Sequence, residues 1–157
     1  IAGVALAIGT FVWRSSRPHI AIVGRVPGTQ HFRDVKRYQV ETWPHLLLLR
    51  VDRSLYFANV AHVENAVSEA IARQSELQHL IMLCSGVNEI DHSALEALQQ
   101  LADSLREAGI TLHLADVKSP VMDGLARSDF VQRMAPGNIY LSAEAAVAAL
   151  VGNRKLY

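Results

Sequence analysis

Apolar and polar positions fall into blocks along this chain, and their period changes from block to block. His19 to Val26 (HIAIVGRV) is a β-branched run that stops at Pro27-Gly28, a turn signal, so it is expected as a strand. Gln30 to Pro44 is polar and basic and is expected as loop or irregular edge structure. Leu46 to Val51 (LLLLRV) is continuously apolar, which suits a strand buried on both faces. Leu55 to Ala58 (LYFA) is a short further run. Asn59 can then cap a helix in which Val60, Val63, Val67, Ala70 and Ile71 recur at helical spacing through about Glu76. Leu80 to Cys84 (LIMLC) is another buried strand, and a polar loop runs from Ser85 to His92.

Ser93-Ala-Leu-Glu96 has the form of a capping box. Leu95, Leu98, Leu101, Ala102 and Leu105 give the next helix one apolar face, and Gly109 is placed to end it in a left-handed conformation. Ile110 to Ala115 (ITLHLA) is the next strand. Ser119-Pro120 opens a short helix, with proline where its missing N–H does no harm. Asn138 to Leu141 is a short strand, and Ser142 caps a last helix with Ala146, Val147 and Leu150 inward. Strand–helix alternation with short connections implies an α/β fold, a small sheet of mostly parallel strands flanked by helices, with right-handed crossovers.

The first block breaks this pattern. Ile1 to Trp13 has no charged residue, and ten of its thirteen residues are apolar. It is shorter than the roughly 20 residues of a full span. Its positive charges, Arg14 and Arg17, follow the run rather than precede it, against a signal peptide. A coherent reading takes residues 1–16 as the remnant of a last transmembrane helix and its membrane exit, in a chain that continues upstream. Trp13 would lie at the interface, and Arg14, Arg17 and Arg25 would mark the cytoplasmic side. The alternatives are a buried N-terminal helix or a stretch foreign to the natural chain. On the membrane reading, residues 17–157 would form one cytosolic domain.

Composition sharpens this division. The 157 residues suit one domain, and 15 Lys+Arg balance 15 Asp+Glu. Neutrality argues against a general nucleic-acid binder. Residues 1–53 carry eight basic and three acidic side chains, whereas residues 54–153 carry five and twelve. The front is basic and the body acidic. The stretch Arg25, Arg33, Lys36, Arg37 reads as a solvated loop or as a face toward anionic lipid headgroups or an acidic neighbouring subunit.

Catalytic and metal chemistry are weakly represented. Cys84, the one cysteine, excludes an internal disulfide and reads as a small core residue. Asp91, His92 and Ser93 are triad residue types, but three chain neighbours cannot converge as a triad does. The seven histidines show no pairing at i+3 or i+4, so no metal site is expected, and His113 is expected to be outward or satisfied. Asp116 follows a strand where ligands often sit, although a cap or loop role is the plainer reading. No enzyme activity and no cofactor are expected.

Two stretches carry a family resemblance. Pro18-His-Ile-Ala-Ile-Val-Gly-Arg-Val-Pro-Gly-Thr29 with Phe32-Arg33-Asp34 resembles the junction after the last transmembrane helix of SulP-type anion permeases. Leu46 to Val51 followed by Ser54-Leu-Tyr-Phe-Ala-Asn59 resembles the next part, and the remainder to about residue 151 resembles their cytosolic STAS domain. The resemblance implies four or five strands with helices mainly on one side. It also implies a regulatory and interaction module of a secondary transporter of sulfate, bicarbonate or dicarboxylate. The module would lie on the cytoplasmic side of the cell inner (plasma) membrane. Its implied partners are the transmembrane domain of the same protein, a second copy in a homodimer, and a cytosolic protein or nucleotide at loop 85–96.

In stand-alone anti-sigma-factor antagonists, an Asp-x-Ser-Gly-like motif at this loop carries a phosphorylated serine. Asp91 and Ser93 match it, and Ala94 replaces the glycine, a bulkier residue where a partner would dock. Phosphate on Ser93 would meet a helix N-terminus but repel Glu89, Asp91 and Glu96. The plainer reading makes Ser93 an N-cap worth about 1 kcal/mol. The candidate regulatory loop is therefore Glu89, Asp91, His92 and Ser93. The competing function is a free STAS signalling protein switched at Ser93.

Overall fold

A computed structural model describes residues 1–15 and 19–152, with side chains for 1–12 and 19–152. An apolar helix, α1 (Ala2–Ser15), precedes six strands and five more helices. β1 (Ile20–Arg25) is antiparallel to both β2 (Phe32–Asp34) and β3 (Leu46–Val51). From β3 onward the sheet is parallel, through β4 (His79–Leu83), β5 (Thr111–Ala115) and β6 (Ile139–Tyr140). The order across the sheet is β2-β1-β3-β4-β5-β6.

Side chains alternate across a strand, so the continuous apolar runs feed two cores at once. Leu47, Leu49, Val51, Leu80, Met82, Leu112 and Leu114 face one side. There they meet α2 (Phe57–Arg73), α3 (His92–Glu107), α4 (Ser119–Ala126) and α5 (Phe130–Arg133), through residues such as Val63, Leu98, Leu125 and Phe130. Leu46, Leu48, Ile81, Leu83 and Ala115 face the other side. Among the described helices only α6 (Ala143–Gly152) contributes to that second core, through Ala143, Ala146 and Val147.

Several expectations are corrected. The basic stretch, expected as loop or irregular edge structure, contains a short regular edge strand, β2, which brings the sheet to six strands against the four or five implied. The short run Leu55 to Ala58 leads into a helix. Leu55 makes one bridge to Ile90, and α2 starts at Phe57. Asn59 is therefore the third helical residue, not the cap. Its Oδ1 accepts the Tyr56 N–H at 2.8 Å, and its Nδ2 donates to the Ser54 carbonyl at 2.9 Å. Other readings hold: Gly109 is left-handed at φ 79°, and the Ser142 hydroxyl accepts the Ala145 N–H at the start of α6.

α1 has 14 residues, about 21 Å of helix, against roughly 30 Å of membrane hydrocarbon. No helix of the described residues is long and apolar enough to cross a membrane. Val4, Leu6, Ile8, Phe11 and Val12 on α1 are all exposed.

Candidate functional site

Loop 85–91 lies against the segment entering α2, and the two are stitched by backbone bonds. Leu55 donates to the Glu89 carbonyl at 2.9 Å, and Asp91 donates to the Leu55 carbonyl at 3.0 Å. The Ser54 hydroxyl accepts the N–H groups of Asn88 and Glu89, each at 3.1 Å. Gly86 permits the approach: a Cβ there would stand 2.6 Å from the Asp52 Cα.

Asp91 is the centre of this arrangement. One carboxylate oxygen accepts the Ala94 N–H at 2.7 Å, capping α3, and the other accepts the Phe57 N–H at 3.1 Å, in the first turn of α2. A single charge thus serves the free N–H groups and positive dipole ends of two helices. This corrects the expected cap. Ser93 is the second residue of α3, exposed, and Asp91 takes the capping role in its place. Ala94 is fully buried, so its methyl group faces the core rather than a docking partner.

Around Asp91 the surface is open. Phe57 is 75% exposed, and Tyr56 stands beside it with its hydroxyl 3.4 Å from a Glu89 carboxylate oxygen. His92 Nε2 lies 3.2 Å from Glu96 on the outer face of α3. Asp91, His92 and Ser93 therefore do not converge: the first is spent on two backbones and the second on a solvent-facing carboxylate. A groove of about 390 Å³ runs between this loop and α4, floored by Ile90, Leu95, Val121 and Leu125. The Lys118 ammonium donates to the Asn88 side-chain carbonyl at its rim.

Elsewhere, Arg25 is committed inside the domain. Its guanidinium binds Glu41 at 3.0 Å and Glu144 at 3.1 Å and lies 5.4 Å from the Trp43 ring centre. Its charge is spent on tying β1, residues 41–43 and α6 together. The side chain of Arg14 and all of Arg17 lie outside the described residues. Cys84 is buried, and burial pushes its thiol up to about 12, so it holds no reactive thiolate. No group of three or more His, Cys, Asp or Glu among the described residues is arranged to hold a metal ion.

Sequence reading missed one pair. His113 Nδ1 accepts the Asn138 N–H at 3.1 Å, and its Nε2 lies 3.1 Å from His79 Nδ1. The first bond fixes the neutral tautomer, so Nε2–H of His113 donates to His79. Burial and then neighbouring His79 lower the His113 pKa to about 4. The two are 34 residues apart and meet only because β4 and β5 pair.

A mixed sheet with, among the described helices, four on one face and one on the other, and an exposed loop 85–91 between β4 and α3, defines a small α/β domain. The family model of the STAS domain matches residues 37–146, and the chain belongs to that family. It is 31% identical over 143 residues to probable sulfate transporter 4.2 of Arabidopsis thaliana, covering 84% of this chain but 21% of that protein. High affinity sulfate transporter 2 of Stylosanthes hamata is 29% identical, over 94% of this chain and 24% of that protein. The chain thus spans about a quarter or less of these relatives.

Among solved structures, the murine Solute Carrier 26 family member A9 anion transporter superposes with a TM-score of 0.79 at 22% identity. It covers 97% of this chain and 25% of its own. The STAS domain of a SulP transporter from Vibrio cholerae gives 0.60 at 18% identity, over 75% and 90% of the two chains. An anti-sigma factor antagonist of Thermotoga maritima gives 0.59 at 16% identity and covers 68% of this chain.

Proposed function

We propose that this chain is the cytosolic regulatory domain of a SulP-class secondary anion transporter, with α1 the end of its last transmembrane helix. The observation that carries the reading is the front of the chain. Residues before 37 lie outside the STAS model, yet the likeness to an anion transporter covers 97% of the chain. That front includes a helix whose large apolar side chains are exposed, a surface that water disfavours and a bilayer accepts. The domain would act by contact, not catalysis: through the transmembrane part of its own protein, a second copy, or a cytosolic partner at the Asp91 loop. The transported ion would be sulfate, bicarbonate or a dicarboxylate.

The test is anion uptake by the complete reading frame in transport-deficient cells. Intact protein should fractionate with membranes. Replacing residues 19–152 by a flexible linker should change uptake while leaving the protein in the membrane. A reading frame that starts just before Ile1 and stays soluble would sink the proposal. The second reading, a free signalling protein switched at Ser93, is favoured by one observation: Ser93 is exposed in the first turn of α3. Phosphate incorporation at Ser93 in such a soluble chain would select it.

A further inference from the structure

The sheet's second face holds a hollow that the transporter reading leaves unused. It has a volume of about 360 Å³ and lies over the carboxyl ends of β3, β4 and β5, between the β1–β2 hairpin and the first turn of α6. Arg33 and Arg50 stand on its β2–β3 side, Asp116 and Glu144 on its β5–α6 side, and Ser85 and Ser142 supply hydroxyls. Leu83 is part of its lining. The volume falls in the range of small-molecule sites, and the place, outside strand carboxyl ends, is where open α/β sheets take ligands.

Three features show unmet bonding capacity. Glu144 gives one carboxylate oxygen to Arg25, while its other oxygen, Oε2, is buried with no hydrogen-bond partner among the described residues. A buried acceptor left without a donor is costly, so the arrangement favours a donor supplied from outside the domain. Asp116 is the one described non-glycine residue with positive φ, at 56°. Such a conformation is strained and collects at ligand sites. Burial raises its carboxyl pKa, against the Ala143 N–H that lowers it. On the other side, Arg50 holds Asp52 with Nε and Nη2, and Arg33 donates from Nη1 to the neighbouring Phe32 carbonyl. Both guanidiniums keep donors to spare.

The two signs are separated across the hollow. A ligand that matches only the cations would meet two carboxylates, and one that matches only the carboxylates would meet two guanidiniums. A hollow of about 360 Å³ lined by both signs suits a small molecule that itself carries both charges. We propose that this hollow binds a small zwitterion of the α-amino-acid class, its ammonium on Asp116 and Glu144 and its carboxylate on Arg33 and Arg50. Binding there would brace α6 against the hairpin side of the sheet. The assignment does not rest on the transporter reading and survives if that reading fails.

The test is a titration of the full isotope-labelled chain, in mild detergent, with L-alanine and L-glutamate, followed by amide NMR. Acetate and methylammonium serve as the two halves. The expected result is saturable shifts around Arg33, Arg50, Asp116 and Glu144 with an amino acid, and none with either half at equal concentration. Asp116→Asn keeps a residue that tolerates the left-handed conformation and removes the charge. Arg33→Gln alters an exposed side chain outside any ion pair described above. Each should weaken binding at least tenfold with the remaining spectrum unchanged. Absence of saturable shifts, equal shifts with acetate or methylammonium alone, or undiminished binding in both variants would overturn the assignment.

Discussion

The two faces of the sheet are built by different means. On the first, four helices press apolar side chains onto Leu47, Leu49, Val51, Leu80 and Met82. On the second, one ten-residue helix covers part of the same sheet. The remainder carries Arg25 between Glu41 and Glu144, the His79–His113 pair, and the charged hollow beside Arg50 and Asp116. Burial of apolar side chains involves no titratable group, so the first core itself does not respond to pH. Ion pairs and imidazoles respond to pH, salt and ligands, so the second face is where the fold can be adjusted. The difference follows from chain order: the three crossovers between parallel strands put α2, α3 and the α4–α5 pair on one side, and among the described helices α6 covers the other.

Neighbouring leucines on β3 offer the largest test. Leu49 points into the first core and Leu48 into the second, and they are 1% and 3% exposed. Leucine-to-alanine changes in cores cost about 2–5 kcal/mol, according to how far the surroundings can collapse. Leu49→Ala should fall near the top of that range, because the helices above it are locked against one another. Leu48→Ala should fall near the bottom, because α6 can settle toward the gap. Urea denaturation of the two variants measures both. Equal costs would mean that the second face is a core like the first.

The imidazole pair predicts a pH dependence confined to the second face. A free histidine titrates near 6.5. In the fold, His113 is held down to about 4, by burial first and His79 second. Above pH 6.5 neither state is protonated and the contribution is fully present. Between 6.5 and 4 the unfolded chain takes a proton that the fold refuses, so stability falls as pH falls; below about 4 the loss levels off. The expected loss is on the order of 3–4 kcal/mol, since each displaced unit of pKa is worth about 1.4. His113→Gln should flatten that window in a series of melts. An unchanged slope in the variant would move the effect to another group.

How much of this was legible in the sequence depends on whether the cause was local. Strands β3, β4 and β5 were readable because a sheet buried on both sides demands unbroken apolar runs, which LLLLRV, LIMLC and ITLHLA supply. The last helix cap at Ser142 was readable for the same reason: cap and helix are contiguous. The edge strand β2 was not, because Phe32-Arg33-Asp34 has one apolar residue and becomes a strand only by pairing with β1. The start of α2 was misplaced by three residues because Asp91, more than thirty positions away, supplies an acceptor at its N-terminus. The same carboxylate moved the α3 cap from Ser93 to Asp91. The hollow and the His79–His113 pair were illegible because strand pairing alone makes them neighbours.

Helix caps give the smallest and most local form of the comparison. On the first face, α2 and α3 share one carboxylate, Asp91, whereas on the second α6 is started by the Ser142 hydroxyl and the Asp116 carboxylate together. A shared cap makes two helices answer to one side chain; a divided cap spreads the loss. Asp91→Ala strips an acceptor from both Phe57 and Ala94, and a single cap is worth about 1 kcal/mol, so the loss should be about 2 kcal/mol. Ser142→Ala leaves Asp116 in place and should cost about 0.5–1 kcal/mol. Ser93→Ala, at an exposed position that caps nothing, should stay within about 0.5 kcal/mol of the parent. Amide exchange locates each effect. Asp91→Ala should speed exchange in the first turns of both α2 and α3, and Ser142→Ala in α6 alone. If Asp91→Ala loosens α3 but not α2, the Phe57 bond carries no weight and the two helices are anchored separately. If Ser93→Ala matches Asp91→Ala, the serine is the cap after all.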